Sequence, residues 1–151
     1  GYWNDDARTG EAIDAEGWMH TGDLATMDAQ GYVNIVGRIK DMVIRGGENV
    51  YPREVEEFLY RHPGVQDVQV IGVPDLKYGE ELCAWIKLRP NVQATEEEIR
   101  EFCRDRIAHY KIPRHVRFVD AFPMTITGKI QKYLMRKQMI EELGHPTGNS
   151  D

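Results

Sequence analysis

GRIKDMVIRGGENVYP, residues Gly37–Pro52, divides into a polar joint, a hairpin and a helix start. Gly37-Arg38-Ile39-Lys40-Asp41 is the joint, with a flexible glycine at its edge. Two short β-type runs follow, Met42–Arg45 and Asn49–Tyr51, separated by Gly46-Gly47-Glu48. Paired glycines between apolar, β-prone runs suit a tight hairpin, because glycine reaches positive φ without steric cost. Pro52 fits the first turn of a helix, where no amide donor is required. By local pattern alone this is an ordinary hairpin leading into a helix.

Downstream, Pro52–His62 carries Val55, Phe58 and Leu59 at the i, i+3, i+4 spacing of a buried stripe, and Pro63-Gly64 stops it. Val65–Val73 and Glu81–Leu88 read as strands, joined by the loop Pro74–Gly79. Thr95 and Glu98 form a capping-box pattern for a helix expected to run to about Ala108, with Ile99, Phe102, Cys103 and Ile107 as its core face. Val116–Val119 supplies a third strand, Phe122–Gly128 a loop, and Ile130–Leu143 a terminal helix. Residues 144–151 are small and polar and are expected to form a flexible tail. Upstream, Gly1–Glu16 reads as loop with one short helical turn. Trp18–His20, Leu24–Asp28 and Tyr32–Val36 read as strands, the last two joined by a turn at Asp28–Gly31. Strands separated by helices behind a hairpin predict an α+β domain over residues 40–143, preceded by a smaller β segment over residues 1–39.

The chain has 151 residues, 41% of them hydrophobic and 29% charged, an ordinary globular balance. Its net charge of −6 argues against a nucleic-acid module working by counterion release, and no nucleic-acid partner is expected. No apolar run reaches the length of a membrane span. Cys83 and Cys103 sit within apolar patterns rather than at ligand spacing, which fits buried free thiols and a reducing compartment, the cytoplasm. His62, His109, His115 and His145 lack metal-ligand spacing, so no protein-held metal is expected. The opening Gly1-Tyr2-Trp3, without a methionine, looks like the middle of a longer protein.

Three stretches in order carry a family signal: Thr21-Gly22-Asp23-Leu24, then Gly37–Pro52, then Pro123-Met124-Thr125-Ile126-Thr127-Gly128-Lys129-Ile130. Together they resemble the late core motifs of the adenylate-forming superfamily, which includes acyl-CoA synthetases, nonribosomal-peptide adenylation domains and firefly luciferases. The resemblance runs from Gly1 to about Leu143. It implies a C-terminal domain made of a hairpin and a three-stranded sheet flanked by helices. Residues 1–39 would be a remnant of the large N-terminal adenylation domain, in which case that domain is the natural partner.

Carried over by resemblance, Lys129 is the catalytic cation. It would offset the charge that builds up as a carboxylate attacks the α-phosphate of ATP. Asp23 would accept hydrogen bonds from the ribose hydroxyls, for which an acceptor-only carboxylate is suited. Arg38 would assist at the ribose and phosphates. Lys40 stands at the hinge, where a few torsions would absorb a domain rotation. The hairpin around Gly46, Gly47 and Glu48 would let the pantetheine arm of CoA pass close to backbone during thioester formation. Taken singly, each has a plainer reading: a solvated loop lysine, a turn aspartate, a surface ion pair, glycines that only make a turn. Lys132 departs from the family in standing where arginine is frequent, though the positive charge is kept; no function attaches to His20.

The resemblance is nearest to fatty-acyl and aryl CoA ligases of medium and long chain, through Arg45–Asn49, Tyr51-Pro52, Tyr110–Arg114 and Thr127–Lys132. It implies a ligase with ATP, Mg²⁺ and CoA as cofactors and co-substrates and a carboxylic acid as substrate. The chain alone is expected to be inactive, and Lys129 acetylation would be an off-switch by removing its charge. Two alternatives stand beside this: an adenylation domain loading a carrier-protein thiol, and a non-catalytic interaction module that has kept the fold.

Overall fold

The computed structural model describes residues 1–144. All of the expected tail beyond Gly144 lies outside the described residues, as does His145. The chain divides into two compact units, residues 1–40 and 41–151.

The first unit holds helix α1 (Asp6–Ala12) and the antiparallel strands β1 (Asp23–Met27) and β2 (Val33–Arg38). Asp5 caps α1 by accepting from the Arg8 N–H at 2.9 Å. The expected single helical turn is thus a helix of seven residues. The expected strand at Trp18–His20 does not form: only Met19 pairs there, with Ile13. The Asp14 carboxylate accepts from the N–H groups of Glu16 and Trp18, a local Asx bond that curls the segment instead. None of residues 1–40 is buried, and Trp3 and Trp18 are 97% and 73% exposed.

The second unit is built on a five-stranded sheet: β3 (Val43–Arg45), β4 (Glu48–Val50), β5 (Val65–Asp75), β6 (Gly79–Leu88) and β7 (His115–Phe118). β6 is the central strand. It pairs along its length with β5, runs parallel to β7 through Cys83–Ile86, and meets β3 at one pair, Arg45 with Gly79. The hairpin expected in front of a three-stranded sheet is therefore continuous with it, extending it by two strands.

Both faces of this sheet are covered, and the period-2 alternation of β5 and β6 assigns residues to each. One face buries Val68, Val70, Leu82, Ala84 and Ile86 against Val55 and Leu59 of α2 (Pro52–Leu59) and Ile99 and Cys103 of α3 (Glu96–Cys103). The other buries Ile71, Val73, Cys83 and Trp85 against Met135 and Met139 of α4 (Lys132–Glu142). Pro52 stands in the first turn of α2, and the Thr95–Glu98 capping box opens α3, both as the sequence predicts. However, α3 ends at Cys103 rather than near Ala108. Arg104 turns extended at ψ 135° and Asp105 adopts φ 59°, which breaks the helix. Ile107 still packs on the core, from beyond the helix. Both cysteines are free and buried, and burial pushes the Cys83 thiol up to about 12 and that of Cys103 up to about 11.

Candidate functional site

The predicted site residues fall into both units. In the first, Asp23 and Arg38 are register partners at the ends of β1 and β2, with Arg38 Nε 3.4 Å from Asp23 Oδ1. Gly22, at φ 76°, turns the chain into β1, and its carbonyl accepts from the Ile39 N–H at 2.9 Å. The Arg38 side chain is exposed and that of Asp23 part-buried, so their pair adds little stability and leaves both charges within reach of a ligand. Lys40 is exposed in the 3-10 turn Ile39–Asp41, at the division between the units, and makes no ion pair among the described residues.

In the second unit, Gly46 and Gly47 form the two-residue turn between β3 and β4, closed by the Arg45–Glu48 pair. Their φ values of 58° and 89° are those a type I′ turn requires. The two glycines differ in surroundings. A Cβ on Gly46 would lie 3.1 Å from Tyr78 Cδ1, whereas one on Gly47 would meet open space. The Gly46 N–H donates to the Tyr78 carbonyl at 2.8 Å, docking the turn on the β5–β6 connection. Glu48 is exposed beside it.

Lys129 leaves a second tight turn. The Thr125 N–H donates to the Lys129 carbonyl at 2.8 Å, the Gly128 N–H to the Thr125 carbonyl at 2.9 Å, and Gly128 sits at φ 80°. Thr125 Oγ1 accepts from the Lys129 N–H at 3.0 Å and contacts Thr127 Oγ1 at 2.9 Å. The Thr125 hydroxyl thus serves the lysine's own backbone, and the Thr127 hydroxyl serves Thr125. Lys129 is exposed, its ammonium forms no ion pair among the described residues, and Ile126 at the tip of the turn is fully exposed.

The helix that follows this turn and the glycine hairpin are anchored by charges that sequence reasoning did not single out as anchors. Lys132, at the start of α4, donates to Glu56 Oε1 at 2.8 Å and to the Val70 carbonyl at 3.1 Å, tying α4 to α2 and β5. Glu80 accepts from Arg136 of α4 at 2.8 Å and from the Ile44 N–H at 2.9 Å, linking α4 to the hairpin. Fully buried Glu81 accepts a two-bond fork from Arg45. The available signal was the pair Glu80-Glu81 at the head of the apolar run Leu82–Ile86, since two adjacent carboxylates there need cationic partners.

Among the described residues, no group of three or more His, Cys, Asp or Glu side chains gathers to hold a metal ion, and no helix is long and apolar enough to cross a membrane.

A family model described as the AMP-binding enzyme C-terminal domain matches residues 54–129. The human protein named medium-chain acyl-CoA ligase ACSF2, mitochondrial, is 53% identical over 143 residues, which are 95% of this chain and 23% of the relative. ATP-bound MatB from Rhodopseudomonas palustris superposes with a TM-score of 0.87 at 36% identity, covering 95% of this chain and 28% of that one. The Mycobacterium tuberculosis fatty acyl CoA synthetase gives a TM-score of 0.69 at 43% identity, over 93% of this chain and 28% of that one. The chain spans about a quarter of the length of these proteins. With a family match across half its residues and the same α+β architecture, the chain belongs to the AMP-binding enzyme C-terminal domain family.

Proposed function

We propose that this chain is the C-terminal portion of an ATP-dependent acyl-CoA synthetase acting on a fatty or aryl carboxylic acid. In the first half-reaction a carboxylate oxygen bonds to the α-phosphorus of ATP, the bond to the β-phosphate oxygen breaks, and pyrophosphate leaves. In the second, the CoA sulfur bonds to the acyl carbon, the bond to AMP breaks, and the thiol proton is released. Lys129 supplies positive charge where the first transition state gains negative charge. Asp23 and Arg38 hold the ribose and phosphates, and Gly46, Gly47 and Glu48 line the path of the pantetheine arm.

One observation carries this reading: Lys129 is a solvent-facing cation on a self-bonded turn, with no ion pair among the described residues. Lys132, three residues on, is by contrast engaged with Glu56 and the Val70 carbonyl. Lys40, exposed at the division between the units, is the proposed hinge. The proposed partner is the large N-terminal adenylation domain, and the exposed Trp3 and Trp18 of an unburied first unit support residues 1–39 being part of it. Mg²⁺ would enter with ATP, and no protein ligand is assigned to it. The two free cysteines support a reducing compartment, which we take to be the cytoplasm; the human relative's name places that protein in mitochondria.

The test is the full-length enzyme recovered with its upstream coding sequence. Acyl-CoA formation from acid, ATP and CoA, saturating in CoA, is the expected result. Acyl transfer only to a carrier-protein thiol, or no adenylation of any acid, would overturn the reading. The isolated chain is expected to form no acyl-CoA.

A further inference from the structure

The glycine hairpin buries Val43 and Val50 in the core, and one of its remaining ties to the sheet is unusual. Between β3 and β6 there is a single backbone pair, Arg45 with Gly79. Beside it, Arg45 Nε and Nη2 donate to the two carboxylate oxygens of Glu81 at 2.7 and 2.8 Å. Glu81 is the one polar residue fully buried among the described residues. Arg114 Nη1 stands 3.8 Å from the same carboxylate and 3.6 Å from Asp75.

The fork leads directly to the turn. Arg45 is the residue before Gly46, and its guanidinium lies over the Tyr78 ring, 4.5 Å from the centroid. The Tyr78 carbonyl in turn accepts the Gly46 N–H, and its ring lies close enough that a Cβ on Gly46 would sit 3.1 Å from Cδ1, so the ring would have to shift. Asp75 Oδ1 accepts from the N–H groups of Lys77 and Tyr78, both at 2.8 Å, which fixes the ring's own loop.

A buried ion pair is a poor device for stability alone, because apolar residues of similar volume often serve a core as well or better. What the fork adds is geometry: two parallel bonds from a planar cation admit one orientation. We infer that Glu81 is a positioning residue, holding the Gly46–Gly47 turn in the place required for thioester formation by fixing Arg45 and, through it, Tyr78. This rests on the acyl-CoA synthetase reading of the hairpin. Glu81 itself touches no substrate.

The experiment separates the half-reactions in the full-length enzyme. Adenylation is followed by pyrophosphate exchange, thioester formation from supplied acyl-adenylate and CoA, and folding by thermal denaturation. Glu81→Gln should slow thioester formation by about 10- to 100-fold, since misplacement on the ångström scale has effects of this size. Pyrophosphate exchange should stay at the wild-type rate. The double variant Arg45→Met/Glu81→Met removes the pair without stranding a charge. It should melt at or above the wild-type temperature yet keep the slow thioester step. Recovery of thioester turnover along with stability in the double variant would overturn the inference, as would equal slowing of both half-reactions by Glu81→Gln. A wild-type enzyme that makes acyl-adenylate but no acyl-CoA would remove the synthetase reading and the inference with it. Wild-type turnover with variants that match it would remove the inference alone.

Discussion

The second unit carries two tight turns with positive-φ glycines, and they are held in opposite ways. The Gly46–Gly47 turn is fastened from outside, by the Tyr78 carbonyl and ring and by the Arg45–Glu81 fork. The Lys129 turn is held from within, by Thr125 and the hydroxyl of Thr127, while its ammonium and Ile126 face solvent. The contrast fits the two roles proposed for these turns. A backbone surface past which a ligand must slide has to be fixed in place. A side chain that delivers charge needs only a stiff stem and a free end.

The largest effect expected from breaking this contrast is at Gly46. Gly46→Ala meets both the Tyr78 ring and an unfavourable φ, and should destabilise the chain by about 1–3 kcal/mol. Gly47→Ala meets the φ penalty alone and should cost about 1 kcal/mol. Thermal unfolding of the two variants checks the order; equal losses would mean that Tyr78 yields freely and the turn is not fastened from outside.

Smaller is the effect expected at the other turn. Thr125→Val removes the acceptor of the Lys129 N–H and should cost about 1 kcal/mol, again read by thermal unfolding. In the full-length enzyme it should also slow adenylation more than thioester formation, because it loosens the stem of Lys129 alone. The reverse order would break the assignment of this turn to the first half-reaction.

The smallest effect concerns pH. His115 begins β7, and burial, helped by Arg114, holds its pKa below the usual histidine value. The unfolded chain therefore takes up this proton first as pH falls, so stability declines below about pH 6.5. His115→Gln should flatten that part of the stability–pH curve. An unchanged slope would show that His115 is equally free in both states.

Local patterns in the sequence were good guides wherever the forces are local. Pro52 and the Thr95–Glu98 box mark their helix starts, and the Val55–Leu59 stripe faces the core. The end of α3 was not legible, because Arg104 and Asp105 carry no strong stop signal and Ile107 keeps the helical spacing while packing from a loop. Trp18–His20 looked like a strand because its residues are β-prone, yet Asp14 four residues before Trp18 captures the backbone first. The charge links Arg45–Glu81, Lys132–Glu56 and Arg136–Glu80 span 36, 76 and 56 positions, and no periodicity reports pairings at that range. The Lys129 motif could be located in the sequence; the turn that frees its ammonium could not.

On the proposed reading, one chain serves two half-reactions with two different turns. The most direct measurement is a crossover in the full-length enzyme, with Lys129→Ala and Gly46→Ala each assayed for pyrophosphate exchange and for thioester formation from supplied acyl-adenylate. Lys129→Ala is expected to slow the first by about 10²–10³-fold, the usual loss for one transition-state charge partner, while largely sparing the second. Gly46→Ala is expected to do the opposite. Parallel losses in both assays for both variants would contradict the account.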